Sequence, residues 1–280
     1  MNRRRKPLMF LLHEGKLLHV FDRFIFSKRQ RFIIAVVLLS FGLFASQHLF
    51  GRSGVFLTFF LSFLSVFFFF LTNYRDVRAN FSPYLFVLPF FYSLAFGLFY
   101  FLAPTRFLSR LLMTTMYAVG LYSLFLSENI FTVASMRTIA LLSSARTVSF
   151  IITLLSYFFL TNVVFSLEFT ALPKAIIIFV YTFFLAAQSI WSYTLEKFQS
   201  FHYLWVLAIS CCFFEMAILL WFWPSDPTFI ALFLTGLFYA LVGLSHVWFD
   251  KRLFRNVLWE YIWVVVIVFC ILFLFTSWKA

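Results

Sequence analysis

The sequence predicts an all-α protein: a polytopic transmembrane bundle of about nine spans, N-terminus cytoplasmic and C-terminus outside. Three observations carry that reading. Of 280 residues, 64% are hydrophobic and only 11% charged, against roughly a quarter charged in an ordinary soluble domain. The apolar residues fall into runs of about 20, the helical length that crosses a hydrocarbon core of about 30 Å. The cations are shared unevenly between alternate connections, as membrane orientation requires. A soluble chain of this length could not hide 47 phenylalanines, because much of its surface must face water. A soluble enzyme, a disordered chain and a secreted disulfide scaffold are excluded on the same ground.

Residues 1–31 precede the first span and form a basic cytoplasmic segment. Arg3, Arg4, Arg5 and Lys6 open it, but His13 and Glu14 stop the apolar run Leu8 to Leu12 and no small-residue cleavage site follows, so it does not read as a cleaved signal peptide. Lys16, His19 and Arg23 share one helical face, with Leu17, Val20, Phe21 and Phe24 on the opposite arc. That amphipathic pattern suits a helix lying on anionic lipids of the inner leaflet. A calmodulin-type or nucleic-acid target is the sharper but less favoured reading, and no nucleic-acid partner is expected.

The transmembrane domain then occupies 32–280. Its apolar runs are 32–50, 54–73, 84–103, 107–127, 147–167, 174–193, 201–223, 227–248 and 258–278. Turn residues punctuate the connections, including Ser82-Pro83, Ala103-Pro104 and Pro224-Ser225-Asp226-Pro227. Each run is too long and too continuously apolar for a barrel strand. Tryptophan tests the segmentation independently, because indole prefers the membrane–water interface. Trp191, Trp205, Trp221, Trp223, Trp248, Trp259, Trp263 and Trp278 all fall near a run's end. With the N-terminus inside, 17 of the 22 Lys and Arg residues are cytoplasmic and 5 are outside. Residues 128–146 are too polar to face lipid throughout and are expected to form an interfacial or partly re-entrant helix on the inner face.

Candidate sites are few. Glu215 lies inside the seventh run, where an ionised carboxylate is costly. Its helical neighbours Ala208, Cys211 and Cys212 are small, so this face is expected to pack inward. A proton-coupling or cation site is the functional reading; a structural hydrogen bond is the plainer one. Gln188 and Asn162 are the other intramembrane amides that such a site would use. Glu128, Asn129, Arg137 and Arg146 form a second candidate, an interfacial site for lipid phosphate, with orientation-setting cations as the plainer reading. The stripes Tyr181, Gln188, Ser192 and Thr58, Ser62, Ser65, Thr72 read as helix–helix contacts rather than a pathway, as does the small-residue series Gly236, Ala240, Gly243. His246 and Asp250 sit i, i+4 with Glu260 nearby; ordinary interfacial polarity is favoured over a metal site. Cys211, Cys212 and Cys270 lie in apolar runs and read as small core residues.

The chain carries no zincin motif, nucleophile elbow, phosphate-cradling Gly-rich loop or Asp-rich diphosphate motif. No cofactor, metal site or catalytic residue is implied. The eight glycines are few for spans built from broken helices, which lowers a transport reading. The segment Asn129-Ile130-Phe131, Val133-Ala134, Arg137-Thr138-Ile139 and Leu141-Leu142 resembles part of a family of uncharacterised bacterial multi-pass membrane proteins. The resemblance implies a bacterial integral membrane protein and no particular activity. The expected function is therefore that of an inner-membrane protein, non-enzymatic, with scaffolding or assembly in the bilayer as its role and protein partners undefined. The alternatives are a small-solute or proton-linked transporter using Glu215, and a lipid-active enzyme at the cytoplasmic face.

Overall fold

The computed structural model describes residues 27–50, 54–79, 81–102, 106–134, 141–195, 198–251 and 253–277. Among them are nine α-helices and no strand: α1 (Lys28–Phe50), α2 (Gly54–Ala79), α3 (Val87–Leu102), α4 (Phe107–Ala134), α5 (Leu142–Ser166), α6 (Ala171–Thr194), α7 (Ser200–Trp221), α8 (Pro227–Phe249) and α9 (Arg255–Leu274). A 3-10 turn at Pro83–Phe86 leads into α3. Among the described residues, nine segments are long and apolar enough to cross a membrane. The helices alternate in direction. The end of the bundle at which α1 begins is called the proximal face, the other end the distal face.

The centre is built from α5 and α6, the two spans most enclosed by their neighbours, with α3 and α8 next. Helix α5 packs against α3, α4, α6 and α8. Helices α1 and α2 cover the α3–α4 side, and α7 packs chiefly along α6. Helix α9 packs on α8 and is otherwise exposed. Exposed apolar side chains such as Phe56, Phe63, Leu108, Leu204 and Leu274 cover the outer surface, the arrangement expected where hydrocarbon is the solvent.

The separate helix expected over 128–146 is absent among the described residues. Residues 128–134 continue α4 and 142–146 open α5; residues 135–140, with Arg137, lie outside the described part, as does the amphipathic segment through residue 26. The polarity that suggested an interface is turned inward instead. Glu128 is completely buried, as is Phe131, and Thr132 is nearly so. The Thr132 hydroxyl donates to the Asn129 backbone carbonyl at 2.7 Å, so this hydroxyl is satisfied within its own helix.

The stripes on α2 and α8 are packing faces, as expected. Thr58, Ser62 and Ser65 are fully buried, and the Ser65 hydroxyl donates to the Pro89 carbonyl of α3 at 3.0 Å. A Cβ at Gly236 would stand 2.7 Å from Val268 of α9, and one at Gly243 2.6 Å from Tyr261. Indole N–H groups tie helix ends together: Trp205 to Ser245 at 2.8 Å and Trp223 to Thr276 at 2.7 Å. The three cysteines are exposed, which corrects the expectation that they fill the core.

One glycine is required by close approach. The Tyr92 hydroxyl of α3 donates to the carbonyls of Tyr117 at 3.1 Å and Met116 at 3.2 Å on α4. A Cβ at Gly120 would lie 2.1 Å from that hydroxyl oxygen. Gly120→Ala is therefore expected to lower stability by about 1–3 kcal/mol through overpacking. Combined with Tyr92→Phe, its cost should be smaller than the sum of the two single changes. Thermal midpoints of the four proteins in detergent measure that cycle; strict additivity would refute the contact.

Candidate functional site

The site begins with a buried amide. Gln188 lies on α6 within the span, fully buried, where an amide must find protein partners. Its Nε2 donates to the Glu128 carboxyl of α4 at 3.0 Å and to the Ser149 hydroxyl of α5 at 3.3 Å. One side chain thus joins three helices. The second Glu128 oxygen, Oε2, and the Gln188 carbonyl oxygen, Oε1, have no hydrogen-bond partner.

The next residue of α6 continues the network in another direction. The Ser189 hydroxyl lies 3.2 Å from His246 Nε2 on α8. The imidazole stacks on Tyr193, one turn further along α6, with centroids 3.7 Å apart and planes 11° apart. Phe150 of α5 meets the other ring edge-on at 5.1 Å.

Arg146, at the start of α5, completes the proximal end of α6. Its Nε donates to the Ser192 carbonyl at 3.2 Å and its Nη2 to the Tyr193 carbonyl. The guanidinium lies 5.0 Å from the Tyr193 ring centroid. A cation on the last carbonyls suits the negative end of the helix dipole. It also helps a helix end that turns through the left-handed region at Leu195, φ 49°, a conformation costly without glycine.

Beside this network lies a cleft of about 430 Å³ at the proximal face. Helix α8 is its floor, through Tyr239, Gly243, His246 and Asp250; α5 and α9 are its walls, through Phe150, Ile151 and Tyr261. Tyr193 of α6 closes one end. The rings form a continuous series: Tyr261 to Tyr239 at 5.3 Å, Tyr239 to Phe150 at 5.9 Å, then His246 and Tyr193. No hydrogen bond holds the hydroxyls of Tyr193, Tyr239 or Tyr261 to another described residue. A volume of this size with a mostly apolar lining and a few polar groups suits a small ligand or a headgroup.

The sequence-based candidates are regrouped by this geometry. Glu215, Gln188 and Asn162 do not converge. Asn162 donates to Thr228 at 3.0 Å between α5 and α8, in the distal half of α5. Glu215 is exposed, with Ala208, Cys211 and Cys212, which corrects the inward packing expected for that face. The inward face of α7 is instead Val206, Ile209, Ser210, Phe213, Ala217 and Leu220. Gln188 belongs with Glu128, from the second candidate group. Arg146 is engaged by α6 carbonyls rather than by Glu128, and Asn129 is partly buried with its side-chain amide oxygen, Oδ1, unpartnered. His246 and Asp250 share the cleft, but Glu260 is exposed outside its lining, and no cluster able to hold a metal occurs among the described residues. The cleft tyrosines were not singled out from the sequence. The available signal was their hydroxyl groups, in a chain with 47 phenylalanines and 12 tyrosines.

Comparison with known proteins adds one finding. A family described as a protein of unknown function, DUF5656, matches residues 69–275. The chain belongs to the DUF5656 family. No curated protein and no solved structure matches it. The DUF5656 region holds the whole network from Glu128 to Tyr261 and the segment around Asn129 to Leu142 on which the resemblance to an uncharacterised family rested.

The Gln188 junction makes a direct prediction. Glu128→Gln keeps an acceptor for the Gln188 amide and should leave the thermal midpoint in detergent nearly unchanged. Glu128→Leu removes the acceptor and should cost about 1–3 kcal/mol, the desolvation cost of a buried donor stripped of a partner. Equal midpoints for the two variants would refute the junction's role.

Proposed function

We propose that this protein is a multi-pass protein of a bacterial inner membrane whose role is binding rather than catalysis. In this reading, the cleft of α5, α8 and α9 holds the polar end of an amphiphile from the cytoplasmic leaflet. The observation that carries the reading is the shape of the cleft. Helices α5 and α9 both pack on α8 with little contact between them, so the groove along α8 is open at its side. Its α5 rim is apolar, and Ile151 is 57% exposed. A tail in hydrocarbon could follow that rim while the head enters among the tyrosines, whose rings and hydroxyls suit the boundary between apolar and wet surroundings.

One observation favours binding over chemistry and a second favours it over transport. His246 Nε2 is already held by Ser189 and its ring is clamped between Tyr193 and Phe150. Glu215, the residue on which a transport reading leaned, lies on the outer surface away from the cleft. The orientation in this proposal places the proximal face in the cytoplasm, from the 17-to-5 distribution of cations. The basic residues of 1–31 would then meet anionic lipids of the inner leaflet.

Native mass spectrometry of the protein released from bacterial membranes tests the binding role. The wild-type protein should retain a bound lipid, and Ile151→Trp, which fills the rim of the cleft, should lose it. Leu204→Trp on the outer face of α7 should behave as wild type. Equal retention by both variants would refute the reading. Orientation is checked separately with Ala280→Cys in a chain whose native cysteines are replaced: a membrane-impermeant maleimide should label it from outside intact cells. Labelling only after lysis would overturn the topology.

A further inference from the structure

We infer that the cleft selects a cationic amine head. This rests on the proposal that the cleft takes an amphiphile, and it names the chemistry of that amphiphile. Asp250 is the one acidic or basic side chain in the lining apart from His246, and it makes no ion pair with any described residue. Lys251, next in sequence, is exposed and does not pair with it. Asp250 also stands at the C-terminus of α8, where the helix dipole is negative and a carboxylate is unfavourable unless a cation is near. Helix α6 ends in the same region and receives Arg146 on its last carbonyls. No described side chain does the same for Asp250.

The rest of the lining fits the same ligand. Phe150, Tyr239, Tyr261 and Tyr193 bring four aromatic rings to the cleft, and aromatic faces attract alkylammonium groups, most strongly when desolvated. The unpartnered tyrosine hydroxyls can accept hydrogen bonds from an ammonium N–H. An anionic head would need Arg or Lys donors, and the lining contains neither. Arg146, beside the Tyr193 ring at 5.0 Å, is outside the lining and has its Nε and Nη2 committed to α6 backbone carbonyls. The shared chemistry is an ammonium group, carried by a membrane lipid or by a free amine.

The test uses the full chain in detergent, offered phosphatidylethanolamine and phosphatidylglycerol of matched acyl chains in equal amounts, with retention read by native mass spectrometry. Wild type should favour phosphatidylethanolamine by about tenfold, the order of one ion pair with cation–π support. Asp250→Asn should bring the ratio near one, whereas Asp226→Asn at the distal face should leave it unchanged. Tyr239→Phe, which keeps the ring, should preserve selection and Tyr239→Leu should weaken it. Millimolar ethanolamine separates the sources: displacement of the lipid assigns recognition to the amine alone, persistence assigns it to the lipid, and both uphold amine selection. Equal or preferential retention of phosphatidylglycerol in a protein that loses lipid on Ile151→Trp overturns the amine inference and leaves the cleft reading standing. Retention of neither lipid overturns both.

Discussion

The amide of Gln188 reaches α4 through Glu128 and α5 through Ser149, and the fold around the cleft depends on the position this gives to α6. In hydrocarbon a buried donor has no water to return to, so the contact fixes the rotation of α6 about its own axis. Once that rotation is set, the adjacent Ser189 faces α8 and meets His246. Tyr193 then falls one turn further along and stacks on the same imidazole. The C-terminal carbonyls of α6 come within reach of Arg146. One polar junction thereby places the end of α6, the floor of the cleft and the rings between them.

Apolar packing supplies what this junction does not. Between transmembrane helices there is little hydrophobic driving force, because lipid tails are as apolar as the side chains. Cohesion has to come from close contact. Many membrane bundles obtain it from glycine, but this chain has eight and uses aromatic rings: Phe99 on Phe159 at 4.3 Å, Tyr157 on Phe238 at 4.3 Å and Phe229 on Phe275 at 4.4 Å. Where rings need extra room, glycine appears opposite them, as Gly120 does beneath Tyr92 and Gly243 beneath Tyr261. The high phenylalanine content thus has a structural meaning, since ring contacts replace small-residue contacts across most of the bundle.

This logic also explains which features could be read in advance. Span length and apolar continuity are properties of one helix at a time, so all nine segments were legible in the sequence. The packing stripes on α2 and α8 were legible because they repeat with helical period. The direction in which α7 faces was not. Small residues beside Glu215 suggested an inward face, but the branched and aromatic side chains of Val206, Ile209 and Phe213 pack inward instead. Gln188 and Glu128 were each conspicuous, yet 60 residues separate them, and nothing local says that α4 and α6 meet there. The polar tail of α4 looked interfacial because polarity alone does not distinguish a water-facing residue from one paired inside.

The cleft itself follows from an imbalance in this packing. Helix α9 docks on α8 through two glycines, which let Val268 and Tyr261 approach closely. It has no comparable seat on α5, where Phe150 is already engaged with Tyr239 and His246. Helices α5 and α9 are therefore both drawn to α8 without closing over it. The space left between them carries three phenolic hydroxyls and a carboxylate without protein partners. In hydrocarbon such groups are costly, and at the membrane boundary they remain satisfied only by water or by a polar head. A purely structural gap would be lined more cheaply with phenylalanine, of which the chain has 47 against 12 tyrosines. The choice of tyrosine at those positions is the strongest reason to regard the groove as a place something polar enters.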